Sequence, residues 1–192
     1  MGSDPEREPP FFFAKPADAV VEQGTQLPFP RGTEDLHHEV ELAVAIGGSG
    51  VEMSRDEALA SIFGYAVALD MTRRDLQAEA KRSARPWEMG KAFDRSCPIS
   101  TIRPVAEIGH PGGGAIWLKV NGDVRQRGDI GDMIWSPADC VAALSQLVEL
   151  VPGDLVLTGT PAGVGPVLSG ERLDAFVDGI GALSVVYGAR LP

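Results

Sequence analysis

The chain has 192 residues, 44% of them hydrophobic, with a mean hydropathy near zero and a formal net charge of −10. That length supports one domain with a real core, and the acidic balance, with no dense Lys/Arg cluster, argues against nucleic acid or an anionic membrane as the main partner. Its 23 Gly and 15 Pro, with few helix signals, favour many short strands joined by turns over a helical bundle.

In chain order, residues 1–10 are Pro- and charge-rich and read as extended. Phe11 to Lys15 read as a short strand stopped by Pro16; three consecutive Phe must pack on something. Residues 24–35 read as a polar loop. Residues 37–47 read as one strand, ended by Gly47 and Gly48. Side chains alternate on a strand, so Glu39 and Glu41 share a face, continued by Ala43 and Ala45, while Val40, Leu42 and Val44 share the other. A strand apolar on both faces is buried. Two carboxylates at its mouth repel and are costly to desolvate, which a hard divalent cation would relieve.

Ser54-Arg55-Asp56-Glu57 is a capping box opening a helix through Ser61. Residues 63–71 form a second buried strand ending at Asp70, which taken alone reads as a turn or capping carboxylate. Thr72 with Asp75 can cap a helix over residues 73–83, with Arg74 and Gln77 on its opening turns. Residues 85–100 look irregular, and Lys91 taken alone reads as a solvated lysine. Asn121-Gly122 between residues 115–120 and 124–127 signals a two-residue hairpin. Ser136-Pro137 starts a helix expected over residues 137–150, with apolar residues at 141, 144, 147 and 148. A strand at 155–158 leads into Gly159-Thr160-Pro161-Ala162-Gly163-Val164-Gly165, a glycine-rich loop without the Lys-Ser/Thr of a nucleotide phosphate loop. Strands near 172–177 and 183–191 close the chain.

Cys97 and Cys140, the only cysteines, form no metal- or redox-type pair, which fits a reducing cytoplasm. No apolar run reaches membrane-spanning length, and residues 1–10 do not resemble a secretory leader. No internal repeat or linker divides residues 1–192, which read as a single catalytic domain.

Glu39-Val40-Glu41, Asp70 and Gly159-Thr160-Pro161, together with Pro9 to Pro16, Gly64-Tyr65, Asp70 to Gln77 and Trp87 to Pro98, carry a resemblance. In this order they resemble the fumarylacetoacetate hydrolase family, closest to its acylpyruvate and fumarylpyruvate hydrolase branch, over nearly the whole chain. The resemblance implies an α+β, predominantly β fold: a mixed β-roll with short flanking helices, as a homodimer. It implies Mg²⁺ or Mn²⁺ on Glu39, Glu41 and Asp70, an all-carboxylate set that suits a hard cation. It implies a substrate pocket lined by Arg74, Gln77, Lys91 and Thr160, with Lys91 and Thr160 catalytic. Arg74 and Lys91 can pair with carboxylate or developing negative charge, and Gln77 and Thr160 can donate to keto oxygens.

The implied reaction is hydrolysis of a C–C bond in a small 2,4-dioxo acid in aromatic-compound catabolism. The cation meets the 1-carboxylate and 2-keto oxygens, water attacks the distal carbonyl, and pyruvate enolate leaves. A 2-hydroxyhepta-2,4-diene-1,7-dioate isomerase or a decarboxylase of the same family is the alternative. A non-catalytic, metal-binding dimeric scaffold is the alternative of another class. Members of this branch usually carry a short helix with a water-activating His and Glu just upstream of the Pro-Pro-Phe-Phe segment, and this chain is expected to lack that lid. His37 shares the acidic face by parity with a structural role, His38 faces the other way, and His110 lies exposed in a Gly-rich loop.

Overall fold

The computed structural model describes residues 8–24 and 26–190; the extended reading of residues 1–10 therefore falls largely outside the described residues. The chain runs β1 (Val20–Glu22), β2 (Gln26–Phe29), β3 (Leu36–His38), β4 (Val40–Ile46), α1 (Arg55–Ser61), β5 (Ile62–Leu69), β6 (Thr72–Arg73), α2 (Arg74–Arg82) and α3 (Glu88–Lys91). It continues through β7 (Cys97–Ile99), β8 (Arg103–Pro104), α4 (Val105–Ile108), β9 (Ala115–Val120), β10 (Asp123–Asp129), α5 (Pro137–Ser145), β11 (Leu155–Leu157), β12 (Gly165–Val167), β13 (Arg172–Val177) and β14 (Gly181–Arg190). This is the α+β, mostly β architecture expected, with short helices at the flanks. No helix among the described residues is long and apolar enough to cross a membrane.

Three sheets share the work. The first has the order β1-β7-β5-β4-β11, with β8 also paired to β5; the second β10-β9-β13-β14-β2; the third β12-β3-β6. β4 is the hinge of the design. All seven of its residues are buried, and it pairs antiparallel with β5 on one side and β11 on the other. Val40, Leu42, Val44 and Ile46 enter the large core with Leu118, Leu173 and Leu183 of the second sheet. The opposite face is small: Ala43, Ala66 and Ala68 pack with Ile99 under Ile102, Leu155 and Leu157. Side-chain alternation puts Glu41 and Asp70 at the end of this alanine face, since Glu41 pairs with Ala68 in the β4–β5 register.

Several local expectations need correction. The strand read over 37–47 is two strands, parted at Glu39: β3 belongs to the third sheet, β4 to the first. The polar loop at 24–35 contains β2, which adds in parallel to β14. Phe11 to Lys15 form no strand, because aromatic side chains and Lys15, not a backbone ladder, hold the segment. Phe11 meets Trp87 edge-on at 5.5 Å and Phe13 tilts against it at 6.3 Å.

The helix expected over 137–150 stops at Ser145, so Leu147 and Val148 are exposed, at 70% and 51%, instead of core. Leu150 turns away to bridge Gly50. The helix expected over 73–83 is α2, without a Thr72 side-chain cap. The Thr72 hydroxyl donates instead to the Asp70 carbonyl, and Asp75 accepts from Thr33 Oγ1 and Glu34 N–H. The stretch read as irregular at 85–100 holds α3 and β7. The capping box at Ser54–Glu57 and the Asn121-Gly122 hairpin form as read, the latter with φ of 50° and 91° at its two turn residues.

Candidate metal centre

Glu39, Glu41 and Asp70 come together. One oxygen of each lies within 4.8 Å of the others, and all three residues are buried. The backbone makes the junction, with Asp70 N–H donating to the Glu39 carbonyl at 2.8 Å where the start of β4 lies beside the end of β5.

Each carboxylate has a dedicated partner. Arg74 Nη2 donates to Glu39 Oε1, and Gly159 N–H donates to Glu41 Oε2 at 2.6 Å. Lys15 Nζ lies 2.8 Å from Asp70 Oδ1, an ion pair angled so that this buried oxygen lacks a well-directed hydrogen bond. Lys91 spans the cluster, its Nζ donating to Glu39 Oε2 at 2.7 Å and Asp70 Oδ2 at 2.5 Å. Far from being a solvated lysine, Lys91 is 2% exposed. α3 places it, and Gly90 lets α3 close on α2: a Cβ there would sit 3.0 Å from Gln77 Cβ.

The electrostatics ask for more positive charge. Burial first, then the Asp70 charge, pushes Glu41 up to about 8 against the pull of the Gly159 N–H. Burial pulls Lys15 down, against the Asp70 charge. The donor set is three clustered, buried carboxylates, without thiolate or imidazole. That set fits a hard divalent cation.

The remaining predicted residues surround the cluster. Arg74 also donates to Gln77 Oε1 at 2.5 Å and to His37 Nδ1 at 3.3 Å. Gln77 is buried behind it. Thr160 lies in the loop after β11, two residues beyond Thr158, whose hydroxyl donates to the Leu42 carbonyl. The Thr160 hydroxyl donates to Val40 O at 2.8 Å and accepts from Gln126 Nε2 at 2.7 Å, so its one proton is already engaged.

Sequence reasoning missed two residues. Lys15 lies in a Phe-rich stretch and Gln126 in a polar strand, and neither carries a local signal that it is buried. Gln126 accepts from His38 Nδ1 and Val40 N–H and donates to Thr160 Oγ1 and the Pro161 carbonyl. The shift of register between Val124 and Gln126 in β10 turns it inward, and the loop closes on it at Gly163, where a Cβ would fall 2.1 Å from the Arg125 carbonyl oxygen. Among the described residues no histidine belongs to the carboxylate cluster. His37 accepts from Arg74 and contacts Asp35 at 2.9 Å, His38 serves Gln126, and exposed His110 pairs with Tyr65.

Residues 2–186 match the family model for the fumarylacetoacetate (FAA) hydrolase C-terminal region. The chain belongs to the fumarylacetoacetate hydrolase family. Within it, the fumarylpyruvate hydrolase of Pseudomonas aeruginosa, solved with Mn²⁺ and pyruvate, is 53% identical, with a TM-score of 0.94 over 98% of this chain and 83% of that one. A fumarylpyruvate hydrolase from Ralstonia sp is 41% identical over 94% of each chain. The oxaloacetate tautomerase YcgM of Escherichia coli (strain K12) is 44% identical over 90% of this chain and 79% of its own length. This family member thus shares its fold and most of its length with enzymes named for more than one reaction on small acids.

Proposed function

We propose that the protein hydrolyses a C–C bond in a 2,4-dioxo acid of the fumarylpyruvate class, giving pyruvate and a carboxylic acid. The observation that carries this reading is the convergence of Glu39, Glu41 and Asp70 in a buried site spanned by Lys91. The Mn²⁺ and pyruvate of the Pseudomonas aeruginosa relative support both the cation and the product.

Glu39, Glu41 and Asp70 would hold Mg²⁺ or Mn²⁺, which supplies Lewis acidity to neighbouring carboxylate and keto oxygens when bound. The other groups bind and orient. Arg74 brings positive charge to the same edge as Lys91 and suits a substrate carboxylate. Gln77 spends its carbonyl oxygen on Arg74 and so retains its amide protons for a keto oxygen. Lys91 gives two of its three protons to Glu39 and Asp70, leaving one for the oxygen where enolate charge develops. Thr160, with its proton on Val40 O, holds the loop that presents Gly159 N–H to Glu41 and does not act as a donor to substrate. In the reaction, water adds to the distal carbonyl, the C3–C4 bond breaks, and its electron pair leaves on C3 as pyruvate enolate. A proton then returns to C3, so one water is consumed per turnover. Residues 1–192 acting as one catalytic domain in a homodimer complete the reading, which a mass measurement in solution tests.

A second reading is oxaloacetate tautomerase, favoured by the Escherichia coli relative. Enol–keto exchange needs no attacking water, only a proton moved between carbon and oxygen. Purified protein with Mn²⁺, given fumarylpyruvate and oxaloacetate separately, discriminates. Pyruvate with fumarate supports the hydrolase; enol–keto interconversion of oxaloacetate without fumarylpyruvate cleavage supports the tautomerase; turnover of neither points to a scaffold.

A further inference from the structure

We infer that Lys15 is a positioning residue for the acidic cluster, fixing Asp70 from behind and tying the N-terminal segment to the site. The inference rests on the metal-site reading above and extends it to a residue outside the ligand set.

The two buried lysines beside Asp70 are held differently. Lys91 Nζ bonds only carboxylates, Glu39 and Asp70. Lys15 Nζ is anchored in the framework: it donates to the Met71 carbonyl at 3.2 Å, the Lys91 carbonyl at 2.5 Å and Ser96 Oγ at 3.0 Å. Ser96 Oγ in turn donates to the Lys91 carbonyl, and Met71 N–H donates to the Ser96 carbonyl. The ammonium therefore sits where the end of β5, the end of α3 and the start of β7 meet. From there it faces Asp70 Oδ1 at 2.8 Å, and its side chain is only 10% exposed.

That setting makes Lys15 a fixed charge. Every proton it has faces an acceptor in the framework, so it is poorly placed to take or give one during a reaction. What it supplies is a stationary cation at the outer oxygen of a buried carboxylate, where no other donor hydrogen-bonds. Such outer partners set a ligand's orientation, and their loss typically weakens metal binding about 10- to 100-fold. A bare positive charge would act in the opposite sense, repelling a cation, so the sign of the effect separates the two roles. The same residue explains how the segment before β1 stays in place without a strand. Phe11 and Phe13 rest on Trp87, the Lys91 ammonium lies 4.9 Å from the Phe13 ring centroid, and Lys15 is the polar anchor.

The test is Mn²⁺ titration of the full chain and of Lys15→Met by calorimetry, with the electron paramagnetic resonance spectrum of bound Mn²⁺ as a second readout. The expected result is a Kd raised about 10- to 100-fold and a changed spectrum, in a variant whose circular dichroism matches the parent. An unchanged or tighter Kd overturns the inference. If Lys15→Met does not fold, Ser96→Ala decides: it leaves the ammonium but removes one anchor, and a Kd raised about threefold supports the inference, whereas an unchanged one overturns it. Failure of the parent chain to bind Mn²⁺ would instead overturn the metal-site reading itself.

Discussion

His38 and Glu39 are neighbours in the chain and face opposite physical problems. On the His38 side everything is neutral and closed. His38 is buried, burial holds its imidazole below the usual range, and Gln126 satisfies it, the Val40 N–H, Thr160 and Pro161 with its full set of hydrogen bonds. On the Glu39 side three carboxylates share a buried space with Lys15, Lys91 and Arg74. Both sides begin at the point where β3 hands over to β4. The difference teaches that one edge of a strand can be finished by hydrogen bonds alone, while the other is built so that cations must finish it.

The comparison breaks most completely if Glu41 is removed. Glu41→Ala should abolish calorimetrically detectable Mn²⁺ binding while leaving the His38 network and the fold intact; retained stoichiometric binding would remove Glu41 from the ligand set. Next comes Lys91→Met, which keeps the carboxylates and deletes the proton left for the enolate oxygen. We expect kcat lower by about 10²- to 10³-fold with Mn²⁺ still bound, checked by steady-state kinetics on whichever substrate turns over.

Acidity sharpens the comparison further. Because Glu41 is raised to about 8, its proton competes with the cation at lower pH and is displaced on binding. Apparent Mn²⁺ affinity should therefore rise by about tenfold per pH unit below about 8 and level off above it, with proton release seen as buffer-dependent calorimetric heat. A flat profile from pH 6 upward (about two units of span) would show that Glu41 is already ionised. The smallest effect on the metal should come from the neutral side. Gln126→Met strands several buried polar groups and should cost about 2–4 kcal/mol in a thermal or denaturant melt, yet change Mn²⁺ affinity by less than about threefold.

Much of this was legible in the sequence, because alternation is a short-range signal. Glu39 and Glu41 beside Ala43 and Ala45 already implied two buried faces with acids at one end, and Asp70 follows an apolar run of its own. What alternation could not supply was the change of sheet at Glu39, since a break of one residue leaves the pattern undisturbed. Lys91 was legible only by resemblance: its burial depends on α3 closing over α2 at Gly90, a contact between segments. Lys15 was hidden for a related reason. A Phe-rich stretch before Pro16 looks like an edge strand, and nothing local says that its lysine reaches residues 70, 91 and 96. The overlong helix at 137–150 has the plainest cause: Leu147 and Val148 keep the helical spacing but face solvent.

The most direct test is anomalous diffraction from crystals of the full chain grown with Mn²⁺. One strong manganese peak per chain should lie in direct contact with carboxylate oxygens of Glu39, Glu41 and Asp70. A peak elsewhere, or none at this cluster in protein that binds Mn²⁺ stoichiometrically in solution, would contradict the assignment of these three residues as the metal centre.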